Sequence, residues 1–286
     1  MNERRSNPVK TFLLYAALLA FAVLFIYPFL IQIATSFKTD PDAAANPLSL
    51  MPNPLSTATW QRIFGLTDVA PVPITTWLQN SVIVTLAVTA GRVFLDSLAG
   101  YALSRLQFRG RRTVFTALLA VMSVPGVALL IPKFLMVNYL GIYDTYTAMI
   151  LPLVVDAAGV FIMKQFFDSV PLSIEEAARM DGASIFRTFW SVVLPMARPA
   201  LITLTILSFQ GSWNEFSHFL VVTKGSTEHQ TLVTGLASLI SGGQGAGTQY
   251  PLKLGTALLT TIPVALLFFG LQRYFVRGAN EGGVKG

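Results

Sequence analysis

The chain has 286 residues, of which 53% are hydrophobic and 12% charged, with no cysteine and a formal net charge of +6. Soluble domains carry about 25% charged residues, so this composition excludes an ordinary soluble fold and points to a polytopic membrane protein. The lack of cysteine excludes disulfide frameworks, thiolate metal sites and cysteine nucleophiles.

In chain order, the first apolar run covers 11–34, after a short polar segment, 1–10. It is too long for the core of a signal peptide and no small-residue cleavage site follows, so it reads as a retained span. Further runs follow at 78–103, 113–137, 144–166, 199–222 and 252–275. Each is long enough to cross a hydrocarbon core of about 30 Å at 1.5 Å per residue. Backbone polar groups cannot be left open to lipid, so all six are expected to be helices. The fold class is therefore an all-α integral membrane protein with six transmembrane helices over 11–277 and tails at 1–10 and 278–286.

Charge orients the spans. With the N-terminus inside, the inner segments hold Arg4, Arg5, Lys10, Arg105, Arg109, Arg111, Arg112, Lys164, Arg179, Arg187, Arg198, Arg273, Arg277 and Lys285. The outer segments hold Lys38, Arg62, Lys133, Lys224 and Lys253, and Arg92 lies within a span. This bias predicts that both termini are cytoplasmic. It also accounts for the basic balance, so nucleic acid is not an expected partner. The outer segment 37–77, rich in proline, reads as an ordered cap with short helical turns. In the outer segment 223–251, the glycine-rich run 242–247 lacks a following Lys-Ser/Thr and reads as a loop, not a phosphate cradle.

The longest inner loop, 167–198, has the grammar of two short helices. Ser173 with Glu176 three residues later forms a capping-box pattern, and Glu175 and Glu176 suit the positive end of a helix dipole. Asp181-Gly182 would end that helix. A second helix would run from about Ser184, with Phe186, Phe189, Trp190 and Val193 on one face, until Pro195 closes it and Pro199 opens the fifth span. An amphipathic helix on the inner leaflet is the alternative, and Phe189 and Trp190 would suit it. Such helices are usually rich in Lys and Arg, whereas the first of these two starts acidic, at Glu175 and Glu176, which favours a protein partner with a basic rim.

Glu176-Ala177-Ala178, then Gly182, Val192 and Leu194-Pro195, resembles the EAA loop of ABC importer membrane subunits, with Val192 where isoleucine is more usual. Across the whole chain the sequence is similar to the MalG-type branch of carbohydrate importers. The likeness is carried by Tyr27-Pro28 leading to Ser36-Phe37-Lys38, by Tyr101-Ala102-Leu103-Ser104-Arg105, by Trp213-Asn214-Glu215-Phe216 and by the ending Gly282-Gly283-Val284-Lys285-Gly286. This resemblance implies the type I ABC importer transmembrane-domain fold in a plasma (inner) membrane permease. Its implied partners are a homologous second permease subunit, two ATPase subunits, an extracytoplasmic solute-binding protein and membrane lipid. Glu175, Glu176, Ala177, Ala178, Asp181, Gly182, Ala183 and Phe186 would then couple to the ATPase, with Lys285 as a tail contact. ATP and Mg would sit on the ATPase subunits, and this chain would bind no cofactor.

Ionisable groups at membrane depth are costly and usually face the protein interior or water. Arg92 and Asp96 are four apart and read first as a structural pair. Asn80, Ser81, Thr85 and Thr89 either hydrogen-bond between helices or line a path. Asp156 has no basic residue nearby in sequence, which makes it a pathway candidate. Trp213, Asn214 and Glu215 lie roughly 20 Å up the fifth span from Pro199. They either stack on and hydrogen-bond a sugar, or form an interfacial Trp with a structural Glu. His218 and His229 are isolated, with a hydrated loop position expected for His229. No metal site, nucleophile turn or Walker-type loop is visible, so the chain is not expected to be an enzyme. The alternatives to an ABC permease are a subunit of an ion-coupled secondary transporter, for which no internal repeat is visible, or, within the ABC class, a glycerol-3-phosphate or polyol permease. No basic cluster stands out along the spans, so a neutral sugar is the expected cargo.

Overall fold

The computed structural model describes residues 8–67, 72–223, 228–240 and 249–282, and every regular element among them is helical. The glycine-rich run 242–247 and Lys285 lie outside the described residues. The chain divides into two compact units, Met1–Ile74 with Leu236–Thr261, and Thr75–Gly235 with Ile262–Gly286.

In the first unit, α1 (Pro8–Ser36) is apolar on every side and exposes most of its large side chains, as a helix does when lipid or another chain faces it. The expected cap follows as two short helices, α2 (Asp40–Ala45) and α3 (Ala58–Ile63). Thr39 caps α2 by accepting from the Asp42 N–H. The Asp42 carboxylate accepts from the Asn46 amide at 3.0 Å and the Asn53 N–H at 2.9 Å. Those two bonds, with a smaller contribution from nearby Lys38, hold its pKa below the usual carboxylate range. Lys38 is buried and donates to the Asn46 carbonyl at 2.7 Å.

The second unit is built on α4 (Ile74–Arg105), unbroken over 32 residues. Then come α5 (Arg111–Met122), α6 (Leu130–Tyr139), α7 (Tyr146–Ile150) and α8 (Ala157–Ser169). The inner-loop elements are α9 (Leu172–Met180), α10 (Ile185–Thr188) and α11 (Leu194–Met196), the last two joined by a π-type turn at Phe189–Val193. α12 (Arg198–Trp213) and α13 (Ser217–Val222) complete this stretch, and the residues of α14 (Leu232–Ile240) and α15 (Tyr250–Gly282) are divided between the two units, α15 continuing as helix past the expected start of the tail. Two buried clusters form the core, one around Val84, Val88, Met149 and Phe219, the other around Tyr101, Phe167, Phe189 and Leu204. Gly100 lets α4 approach α8 closely, since a Cβ there would stand 2.8 Å from the Met163 Cβ.

Four stretches are long and apolar enough to cross a membrane, Val9–Ser36, Ile74–Arg105, Tyr146–Ser169 and Tyr250–Gly270, and counting each of two bent pairs as one span makes six. The third run is not the straight span its composition suggested. It bends by 104° between α5 and the segment Gly126–Tyr139. Pro125 lacks an amide donor and disfavours helix at Val124 before it, so α5 stops after 12 residues, about 18 Å and short of a crossing. The stretch at 144–169 is also interrupted, by a 3₁₀ turn at Leu151–Leu153 and a non-helical Val155-Asp156. The fifth run breaks at Asn214-Glu215, between α12 and α13.

Counted along the helices, these three breaks lie at a similar distance from the loop end. Arg92 stands opposite them on α4, thirteen residues before Arg105, or about 20 Å. Asp156 stands thirteen residues before Ser169, Ser123 twelve after Arg111, and Trp213 fifteen after Arg198, each again about 20 Å from the loop end. Interrupted backbone at such depth is tolerated only inside protein or beside water.

Candidate functional site

At the loop end of α4, one carboxylate fastens the inner loop. Glu175 is buried, its Oε1 2.8 Å from Arg105 Nε, and its Oε2 accepts from the Tyr101 hydroxyl at 3.0 Å. Arg105 also donates through Nη2 to the carbonyls of Phe167 and Val170, which end α8. Ser104 and Lys164 both donate to Asp168, at 2.6 Å each. Arg111 reaches back to the Ser104 carbonyl at 2.8 Å. Tyr101, Phe167 and Phe189 pack as an aromatic cluster above this network, with Tyr101 and Phe189 centroids 5.0 Å apart.

The two glutamates assigned together by sequence therefore separate. Glu175 points into the fold and Glu176 is exposed. The capping box is corrected as well: α9 starts at Leu172 with Pro171 before it, so Ser173 lies within the first turn and does not cap. Proline does this job without a side-chain bond, because its ψ of 131° directs the chain into the helix.

The turn is as expected. Gly182 has φ +78°, its N–H donates to the Arg179 carbonyl at 2.9 Å, and the Ala183 N–H donates to Ala178 at 3.0 Å. This is the Schellman arrangement, and it needs a residue content with positive φ. Nothing lies within 4 Å of a Cβ placed on Gly182, so backbone conformation, not space, is what selects glycine. Ser184 then caps α10 by accepting from the Arg187 N–H.

Beyond the turn, the aromatic residues do not share one face. Phe189 and Val193 are buried, while Phe186 and Trp190 are 65% and 51% exposed and stacked, centroids 6.3 Å apart with planes 9° apart. Pro195 does not close the helix either. It sits within the helical run that continues through the π-type turn, and the chain bends by 81° only after Met196. With Met180 at 88% exposure and Ile185 also exposed, the loop presents an apolar patch edged by Glu176, Arg179, Asp181 and Arg187. Ala177 and Ala178 are small enough to leave the α9 side of it low.

The pathway candidates are less uniform. Asn80 is buried and fully used: its amide donates to the carbonyls of Glu228 and Gln230 at 2.7 and 2.8 Å, and its oxygen accepts from the Tyr146 hydroxyl. It pins a loop and faces no open path. Ser81 serves similarly, accepting from the Leu232 N–H. Trp213 is buried and stacked on Phe209 at 5.7 Å, so it offers no free ring face. Asn214 is exposed at the break. Glu215 accepts from the His218 N–H at 2.8 Å and so starts α13. Asp156 caps α8 through the Gly159 N–H, and its own N–H donates to Asp96. Arg92 and Asp96 form no ion pair; Arg92 Nε donates instead to the Leu153 carbonyl at 2.7 Å, satisfying the backbone where the fourth span breaks. His229 lies in a turn, as expected, but it is partly buried and its Nδ1 stands 3.2 Å from an Asp144 oxygen. Among the described residues no cluster of His, Cys, Asp or Glu could hold a metal.

Arg105 and Tyr101, the partners of Glu175, were missed as site residues. Their motif was visible, but which glutamate they hold depends on a contact 70 residues away in sequence.

Residues 96–281 match the family of binding-protein-dependent transport system inner membrane components. The chain is 32% identical over 99% of its length, and all of the relative's, to the arabinooligosaccharides transport system permease protein AraQ of Halalkalibacterium halodurans. It is 34% identical to the polygalacturonan/rhamnogalacturonan transport system permease protein YtcP of Bacillus subtilis, covering 98% of this chain and 99% of that one. Its fold resembles a chain in the crystal structure of a bacterial ABC transporter involved in the import of the acidic polysaccharide alginate. That likeness has a TM-score of 0.81 at 23% identity and covers 96% and 99% of the two chains.

Proposed function

The chain belongs to the family of binding-protein-dependent transport system inner membrane components, and from that premise we propose that it is the permease subunit of an ATP-driven carbohydrate importer. In this role it forms half of the translocation pathway with a homologous partner, docks one of two ATPase subunits through residues 171–195, and receives its cargo from an extracytoplasmic binding protein. Hydrolysis belongs to the ATPase pair, which carries ATP and Mg, and this chain has no catalytic part in it. Both termini lie in the cytoplasm, a reading supported by the fourteen inner against five outer basic residues. Lys285 would contact the ATPase pair from the C-terminal tail.

The observation that carries this reading is the construction of the inner loop. A buried ion pair and a Schellman turn hold it, yet its outer surface shows stacked aromatic rings and an apolar patch that none of the described residues covers. Rigid attachment on one side and an open, partly apolar face on the other is what transmitting a partner's motion requires. Coupling then follows if the ATPase holds the loop differently in its two nucleotide states. The carbohydrate cargo is supported by the oligosaccharide and polysaccharide systems of the two relatives.

Uptake by proteoliposomes of the complete transporter, with ATP or a proton gradient supplied separately, tests the reading. Uptake is expected to require ATP and to survive collapse of the gradient. The reverse result would favour the ion-coupled transporter. A cargo panel of oligosaccharides, polyols and glycerol 3-phosphate separates the carbohydrate reading from its neighbours. Glu176→Lys is expected to weaken co-purification of the ATPase, and unchanged recovery would reject that contact.

A further inference from the structure

Folding gathers basic residues that the sequence keeps apart. Arg92 of α4, Lys133 of α6 and Asp156 at the start of α8 line one cleft of about 430 Å³, walled otherwise by residues such as Met122, Leu129 and Pro152. The cleft opens where the third and fourth spans break, about 20 Å along the helices from the loop end. Its volume falls in the range of about 300–1,000 Å³ usual for small-molecule sites.

The charges in it are incompletely used. Among the described residues no ion pair involves Arg92 or Lys133. Arg92 engages the Leu153 carbonyl through Nε alone, which leaves both terminal guanidinium nitrogens without a hydrogen bond among the described residues. Asp156 has one oxygen committed to the Gly159 N–H. Asp96 lies buried close by, its Oδ1 taken by the Asp156 N–H. A charge facing hydrocarbon is costly and is found where protein or water surrounds it. Three on one wall, beside interrupted backbone, require water or a polar ligand there.

We propose that this cleft is a cargo subsite for a sugar bearing an anionic group, carboxylate or phosphate. The Arg92 fork and the Lys133 ammonium receive the anionic oxygens, Asp156 accepts from a hydroxyl, and the apolar wall covers the C–H face of the ring. This deepens the importer reading and rests on it. It also replaces the expected neutral sugar, which relied on the spans lacking a basic cluster. Arg92 has a second duty at Leu153; Lys133 has none, which makes it the sharper residue to test.

The chain has no cysteine, so a single Val155→Cys in the cleft can be labelled in the assembled transporter with anionic sulfonatoethyl or cationic trimethylammonioethyl methanethiosulfonate. Lys133→Gln is expected to lower the anion-to-cation rate ratio by at least about threefold. An unchanged ratio overturns the proposal, and so does a cysteine that labels in the isolated chain but not in the complex, which would make the cleft a subunit interface. In the second arm, proteoliposome uptake is compared for trigalacturonate against its methyl ester, and for glucose 6-phosphate against glucose. Lys133→Gln is expected to lower one charged-to-neutral ratio by about tenfold, and the pair affected identifies carboxylate or phosphate. Equal losses for charged and neutral probes, or transport of neutral probes only by the unaltered complex, sink the subsite while leaving the importer intact. Uptake indifferent to ATP sinks the importer reading instead, and the labelling ratio still reports on the cleft.

Discussion

Two arginines on the same helix, Arg92 and Arg105, meet opposite fates. Arg105 is enclosed: a glutamate oxygen stands 2.8 Å from its Nε and two backbone carbonyls accept from its Nη2. Arg92 spends one nitrogen on a carbonyl and keeps the rest in a cleft with a lysine and an aspartate. Residue type is the same, and both sit where helices end or break. The difference is whether a carboxylate is paired with the arginine. Where one is, the arginine is a fastening; where Asp156 and Asp96 stand nearby without pairing to it, the guanidinium keeps donors for a ligand.

The comparison can be broken most forcefully at its closed end. Removing one member of a buried ion pair leaves the other uncompensated, at a cost of about 3–5 kcal/mol. Glu175→Ala should therefore lower the thermal unfolding temperature of the purified transporter far more than Glu176→Ala. Similar shifts for both would deny the anchor. By the same reasoning Arg105→Gln should destabilise more than Arg92→Gln, which gives up a single hydrogen bond.

Next in size is the exposed face that the anchor positions. Stacked, accessible aromatics of this kind contribute about 2 kcal/mol or more when they are interface anchors. Phe186→Ala with Trp190→Ala should reduce ATPase co-purification at least about tenfold with little change in the unfolding temperature. Loss of stability without loss of the ATPase would place the pair in the core instead. Gly182→Val forces a β-branched residue into φ +78°, costing roughly 1–2 kcal/mol. ATP hydrolysis should then proceed without uptake, and normal uptake would count heavily against a rigid turn.

The smallest effect belongs to the cap formed by α2 and α3. The Asp42 pKa is depressed, so the stabilisation it confers is present at neutral pH and is lost as pH falls from about 4 through the lowered folded value. Asp42→Asn should flatten the acid limb of the unfolding profile without altering uptake at neutral pH. An unchanged acid limb would show that the Asn46 and Asn53 bonds contribute nothing there.

Local chemistry was legible from the sequence. Gly182 and Ser184 declared the turn and the second helix, because φ preference and capping depend on immediate neighbours. The cap of α2 and α3 and four of the spans followed from proline content and apolar length. The break at Pro125 was available too, since proline constrains the residue before it, but a long apolar run outweighed that signal. What stayed hidden was which of two adjacent glutamates turns inward, and that Arg92, Lys133 and Asp156 share a cleft. Asn80 and Trp213 read as pathway residues because their types suit sugars; their burial against Gln230 and Phe209 comes from packing between distant segments.

The similar placing of the three breaks along their helices has a mechanical consequence. A continuous helix such as α4 carries bending from one end to the other. A rod interrupted at mid-length does not, since the residues at the joint lack the hydrogen bonds that give a helix its stiffness. Force applied at the inner loop thus meets short, stiff segments on the near side of each break, while the segments beyond need not follow. The charged cleft is lined by residues of the third and fourth breaks themselves, Val124, Gly126, Leu153 and Val155, so bending at those joints reshapes its wall directly.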